Sequence, residues 1–100
     1  MEETICEAIR ARSVIQFHYS AGGSPGLRVV EPHQVGVNVR GNPALSAWFL
    51  RGESDSDEGW REYLLESVER VTVLSETFAG PRPGYSPHTR KLFRRVRCEL

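Results

Sequence analysis

Ala47-Trp48-Phe49-Leu50-Arg51 follows the turn-forming Gly41-Asn42-Pro43 and decides the architecture. Read as a strand, its side chains alternate: Trp48 and Leu50 on one face, Phe49 and Arg51 on the other. Large apolar groups on both faces require cover on both sides, as in the wall of a barrel. Arg51 then stands at the strand's end on the Phe49 side, where a guanidinium can meet an anion.

Before this strand, Val35, Val37 and Val39 alternate with Gly36, Asn38 and Arg40. Pro32 separates this piece (34–39) from another at 27–31, and a proline, having no N–H for a ladder, marks a bulge or bend. Further upstream, Ser20-Ala21-Gly22-Gly23-Ser24-Pro25-Gly26 is a turn. It follows a half-buried strand at 14–19, with Ile15, Phe17 and Tyr19 on one face. Residues 3–12 read as a short helix. Ile5, Ala8 and Ile9 share a face, and Arg10 and Arg12 sit at the C-terminal end as the helix dipole prefers. So short a helix must dock on something.

After the central strand, Glu53, Asp55, Asp57 and Glu58 lie between Gly52 and Gly59 and read as a solvated hairpin tip. The ligand spacing and central glycine of an EF-hand loop are absent. Strands at 60–65 and 70–75 are split by Glu66-Ser67-Val68-Glu69, a tight turn or one turn of helix. One helix and five or six short strands predict a mainly β domain. The expected form is a small SH3-like or Sm-like bent sheet, or a partly open barrel, with a short N-terminal helix.

One hundred residues, 39% hydrophobic and 26% charged, describe one ordinary globular domain. No apolar run approaches the ~20 residues that span a bilayer. Met1-Glu2-Glu3-Thr4 is not the start of a secretory signal. The expectation is a cytoplasmic protein with no membrane partner.

The net charge of zero is unevenly spread. Residues 1–80 hold seven Arg against twelve Asp/Glu, and residues 81–100 six Lys/Arg against one Glu. Such asymmetry marks either an interaction tail or a tail folded back on an acidic body. The organisation expected is a β domain over 1–79 and a basic C-terminal extension over 80–100. Ser86-Pro87 resembles a helix start, so a short helix at 87–92 and a strand near 94–99 are expected. Cys6 and Cys98 match no zinc or redox spacing. In a reducing compartment two buried or free thiols are expected, not a disulfide tying the termini.

No enzymatic constellation stands out. His18, His33 and His88 are too scattered for zinc, and there is neither a Gly-x-Ser-x-Gly elbow nor a phosphate-cradling glycine loop. The chain reads as a non-enzyme needing no metal and no cofactor. What remains is recognition. Arg28, Arg51 and Arg61 lie on strands and could converge on a phosphate or carboxylate, with Tyr19, His33, Ser46 and Tyr63 adding polar or stacking contacts. The alternative is that these arginines only pair with Glu31, Glu62 and their neighbours.

The ordered motifs carry a family resemblance. Trp48-Phe49-Leu50 resembles the Trp-Tyr-Leu signature of the WYL domain family, with Phe49 in place of the tyrosine. Ile15-Gln16-Phe17-His18-Tyr19 resembles the family's first strand, and Arg28-Val29-Val30-Glu31-Pro32-His33 its Arg-x-x-x-Pro strand. Trp60-Arg61-Glu62-Tyr63, Val71-Thr72-Val73-Leu74 and Glu76-Thr77-Phe78 resemble its closing strands, so the resemblance spans roughly residues 5–79. It implies a ligand-sensing module of the kind found in bacterial transcription regulators and near phage-defence and CRISPR systems. A nucleotide or single-stranded nucleic acid is the implied ligand.

By motif the resemblance nominates Tyr19, Arg28, Trp48, Phe49 and Arg61 as ligand-binding residues. Position beside the motifs adds His33 and Arg51. Leu64 and Ser67 stand where many members carry arginine, which weakens phosphate gripping. Residues 1–12 allow one helix, whereas a helix-turn-helix needs two, so a stand-alone module is expected. The competing expectation is a homo-oligomer or a module for a regulatory protein partner, joined through sheet edges and the tail.

Overall fold

The computed structural model describes residues 1–54, 57–86 and 92–100. In chain order the elements are α1 (Glu2–Ala11), β1 (Ser13–Tyr19), β2 (Gly26–Asn38), β3 (Pro43–Gly52), β4 (Gly59–Leu64), a 3-10 turn (Leu65–Ser67), β5 (Val68–Thr77) and β6 (Phe93–Glu99). The strands form one antiparallel sheet in the order β4-β3-β2-β1-β5, with β6 added to β2. The sheet is bent but not closed into a barrel.

The two extended pieces expected around Pro32 are one thirteen-residue strand, β2. Its first half pairs with β1 (Ile15↔Val30 to Tyr19↔Gly26) and its second half with β6 (Gln34↔Glu99 to Asn38↔Phe93). β3 runs along the other edge of both halves. There the register steps from Pro32↔Ala47 to Gln34↔Ser46, which makes His33 the extra residue of a bulge. The irregularity therefore falls beside the proline without ending the strand.

Each face of the sheet is covered. On one face α1 buries Ile5, Cys6, Ala8 and Ile9 against Phe17, Val30, Val35, Leu45, Ala47 and Phe49. The helix ends at Arg12, in the left-handed region at φ 55°, and its N–H closes onto Ala8 and Ile9 carbonyls. On the opposite face Val14, Val29 and Phe78 form a smaller cluster with Leu50, Leu74 and Leu100.

The C-terminal residues supply part of this second cover. The Phe78 N–H donates to the Arg12 carbonyl, residues 78–85 lie against the opposite face, and Phe93–Glu99 pair with β2 as β6. The Leu100 N–H donates to the His33 carbonyl at 2.8 Å. Of the two fates open to the basic tail, the described residues show it folded back. The helix expected at 87–92 lies outside the described residues, apart from Leu92, which sits in a turn.

The expectation of free thiols is overturned. Cys6 and Cys98 form a disulfide across 92 residues, with their Cα atoms 5.8 Å apart. Nothing in the linear spacing signals it. The sheet creates the proximity, because β6 lies on β2 and α1 packs against both.

Candidate ligand site

The helix-covered face carries an aromatic and cationic group at one end. Phe17 and Arg28 are cross-strand partners, so they share that face with Tyr19, two residues along. From β4, Tyr63 packs its ring edgewise on both Tyr19 (centroids 5.0 Å apart) and Phe17 (5.1 Å). The Arg28 guanidinium lies over the Tyr19 ring at 5.9 Å, and that of Arg61 over Phe49 at 5.7 Å. Four strands thus bring together residues spread over positions 17 to 63.

Backbone carbonyls hold both guanidinium groups. Arg28 Nη1 donates to the Leu27 and Glu53 carbonyls, and Nη2 to that of Ser24. Arg61 donates to the carbonyls of Trp60 (2.8 Å) and Asp57 (2.7 Å). Each arginine therefore lashes a loop to the sheet. Among the described residues neither forms an ion pair with a carboxylate. Both act on Tyr63, whose phenol is pushed up to about 12 by burial, while the positive fields of Arg28 and Arg61 oppose the shift and Tyr19 adds slightly to it. Burial outweighs two cations, so the ring is well removed from water.

Beside Tyr19 a cleft of about 470 Å³ opens between Asn38, Arg40, Asn42, Glu62 and Leu92. Asn38 shapes it: its Oδ1 accepts the Arg40 and Asn42 N–H groups, and its Nδ2 donates to Glu62 at 2.8 Å. Arg40 is exposed at the rim. Leu64 lines the same cleft and gives its N–H to the Tyr19 hydroxyl at 3.0 Å. The Ser67 carbonyl accepts from Ser20. The two positions where arginine was expected thus hold the β1 end and its turn.

The expected convergence of three arginines is corrected to two. Simple alternation put Arg51 on the Phe49 side. The register instead runs Val30↔Phe49, then Val29↔Arg51, so Leu50 is the extra residue of a bulge. That extra residue moves Arg51 to the opposite face with Val29. There its guanidinium, largely exposed, meets Glu76 at 2.9 Å. Phe49 is buried in the main core and reaches the site only through Arg61.

Trp48 and His33 also belong to the opposite face. Glu31, Trp48 and Trp60 form one rung across β2, β3 and β4. His33 is fully buried beside it; its Nδ1 lies 2.9 Å from the Glu31 carbonyl and its Nε2 accepts the Arg82 N–H. Ser46 is buried on the same face opposite Gln34, and Ser46 Oγ and Gln34 Oε1 have no hydrogen-bond partner among the described residues. Sequence reasoning missed the grouping of Glu31 with Arg82. A lone carboxylate in the apolar run Val29-Val30-Glu31-Pro32 was the available signal, since such a group is rarely buried without a cation. Among the described residues no three His, Cys, Asp or Glu are placed to hold a metal ion. Among the described residues no helix is long and apolar enough to cross a membrane.

Compared with known families, the chain matches the WYL domain over residues 2–73. No curated protein and no solved structure matches it.

Proposed function

The chain belongs to the WYL domain family of regulatory, ligand-sensing domains, and on that premise we propose that it senses a nucleotide or a short single-stranded nucleic acid. The site is the Tyr19–Arg28–Arg61–Tyr63 end of the helix-covered face together with the cleft beside Tyr19. One observation carries the reading. Two guanidinium groups lie close enough to act on one buried phenol, and no carboxylate among the described residues neutralises either. Such a pair leaves net positive potential that an anion can satisfy. A cleft of about 470 Å³ is within the range that holds a small ligand. Arg40 at its rim offers a further phosphate contact, and Tyr19 a stacking surface.

The test is fluorescence anisotropy with a short labelled RNA and a panel of nucleotides, at low and high salt. Binding weakens steeply with salt, because phosphate contacts release counterions. Arg61→Gln weakens it roughly tenfold or more, since a hydrogen bond to a charged group contributes about 1.5–3 kcal/mol. Arg51→Gln, on the far face and already paired with Glu76, leaves it unchanged. Equal sensitivity to both substitutions, or no binding by the intact chain, removes the proposal.

A further inference from the structure

The opposite face holds a second constellation, independent of the reading above. Glu31 is almost wholly buried, yet its carboxylate is not stranded: Arg82 grips it with two parallel bonds, Nε–Oε1 at 2.7 Å and Nη2–Oε2 at 2.9 Å. The guanidinium also lies over the Trp48 ring at 5.0 Å. Trp60 meets Trp48 edge to face at 5.6 Å. A carboxylate floor with an aromatic wall matches a guanidinium on every count: charge, bidentate fork and stacking plane. The Glu31 bond raises the affinity of Arg82 for its proton.

The backbone around Arg82 is read as well. Its N–H donates to His33 Nε2 at 3.2 Å, and Trp60 Nε1 donates to the Pro83 carbonyl at 2.8 Å. Tyr85 stacks near-parallel on Trp60 at 5.9 Å and donates its hydroxyl to the His33 carbonyl. No ladder secures residues 78–86; they belong to no helix or strand. They are held as a bound peptide is held, by one half-exposed anchor side chain that grips a buried carboxylate and by a few backbone contacts.

We propose that the Glu31–Trp48–Trp60–His33 surface is a receptor for an arginine in a proline-flanked peptide segment that turns just after it, as the Tyr85 N–H to Arg82 carbonyl bond turns this one, and that Pro81-Arg82-Pro83 occupies it in cis as an autoinhibitory ligand. The trans ligand is a segment of the same chemistry in a protein partner. It must displace Arg82, so its apparent affinity for the intact chain is reduced by the small fraction of molecules whose site stands open.

The experiment uses a labelled peptide with this chain's own residues 78–86, titrated against the full chain and its Arg82→Ala variant. The variant binds the peptide at least tenfold more tightly than the intact chain. A peptide with alanine at the Arg82 position does not bind, and adding Glu31→Gln to the variant abolishes binding. Ethylguanidinium raises the melting temperature of the Arg82→Ala variant, while ethylammonium does so much less. If that variant does not fold, Arg82→Lys replaces it, keeping the charge but losing the planar fork. Equal binding by intact and variant chains, equal binding of the alanine peptide, or no binding to either variant overturns the proposal. A dimer that forms only when Arg82 is intact, and is competed off by the peptide, supports it with a second copy as the partner.

Discussion

Tyr63 shows how a single side chain can report on the environment of the candidate site. Its phenol titrates at about 12, above the usual 10, chiefly because burial disfavours the phenolate. In the unfolded chain it ionises first, so its contribution to stability is complete below pH 10 and is lost as the pH rises toward 12. Ultraviolet titration of the phenolates should show a late step that is absent from Tyr63→Phe. Denaturation at increasing pH should show stability falling above pH 10, less so in that variant. The nominations drawn from motifs and from position beside them behaved unequally at this scale. Tyr19, Arg28 and Arg61 lie together because the register is unbroken between β1 and the first half of β2 and between β3 and β4. Arg51 does not, because one extra residue at Leu50 reversed its face. A bulge depends on the pairing of two strands, and no local pattern in Trp48-Phe49-Leu50-Arg51 announces it.

Among the elements, β2 organises the rest, since β1, β3 and β6 all pair with it. Gly36 permits the last of these pairings. A β-carbon there would lie 2.1 Å from the Arg95 carbonyl oxygen, a backbone atom that cannot step aside without breaking the ladder. Gly36→Ala should therefore detach or displace β6 and cost roughly 1–3 kcal/mol or more, read as a lower urea midpoint. Hydrogen exchange should localise the loss to Phe93–Glu99 and to the second half of β2. Most elements were legible in sequence because their periodicity is local: Ile15, Phe17 and Tyr19 alternate, and Ile5, Ala8 and Ile9 share a helical face. The union of 27–31 and 34–39 was not legible. It depends on β3 continuing past the bulge at His33, a tertiary circumstance. The seating of Phe78–Tyr85 was equally hidden, since its anchor pairs Arg82 with a residue 51 positions earlier.

For the whole molecule, the Cys6–Cys98 disulfide matters most. Linking residues 92 apart removes much of the freedom of the unfolded chain. A link of this span contributes roughly 2–4 kcal/mol in practice, and loop-closure reasoning allows about 4–5 kcal/mol. Urea denaturation with and without a dithiol reductant should show a drop of that order, and Cys98→Ser should match the reduced chain. The drop should exceed that for Arg51→Gln, whose exposed ion pair with Glu76 is screened by solvent.

The same bridge turns residues 6–98 into a covalent ring. A ring has no privileged beginning. If a protease hydrolysed the exposed turn between Gly22 and Gly23, the two pieces would each keep one cysteine and stay attached. The nicked molecule would be a single body with new ends beside β1 and β2, and β1 would find β2 again at the high local concentration that tethering provides.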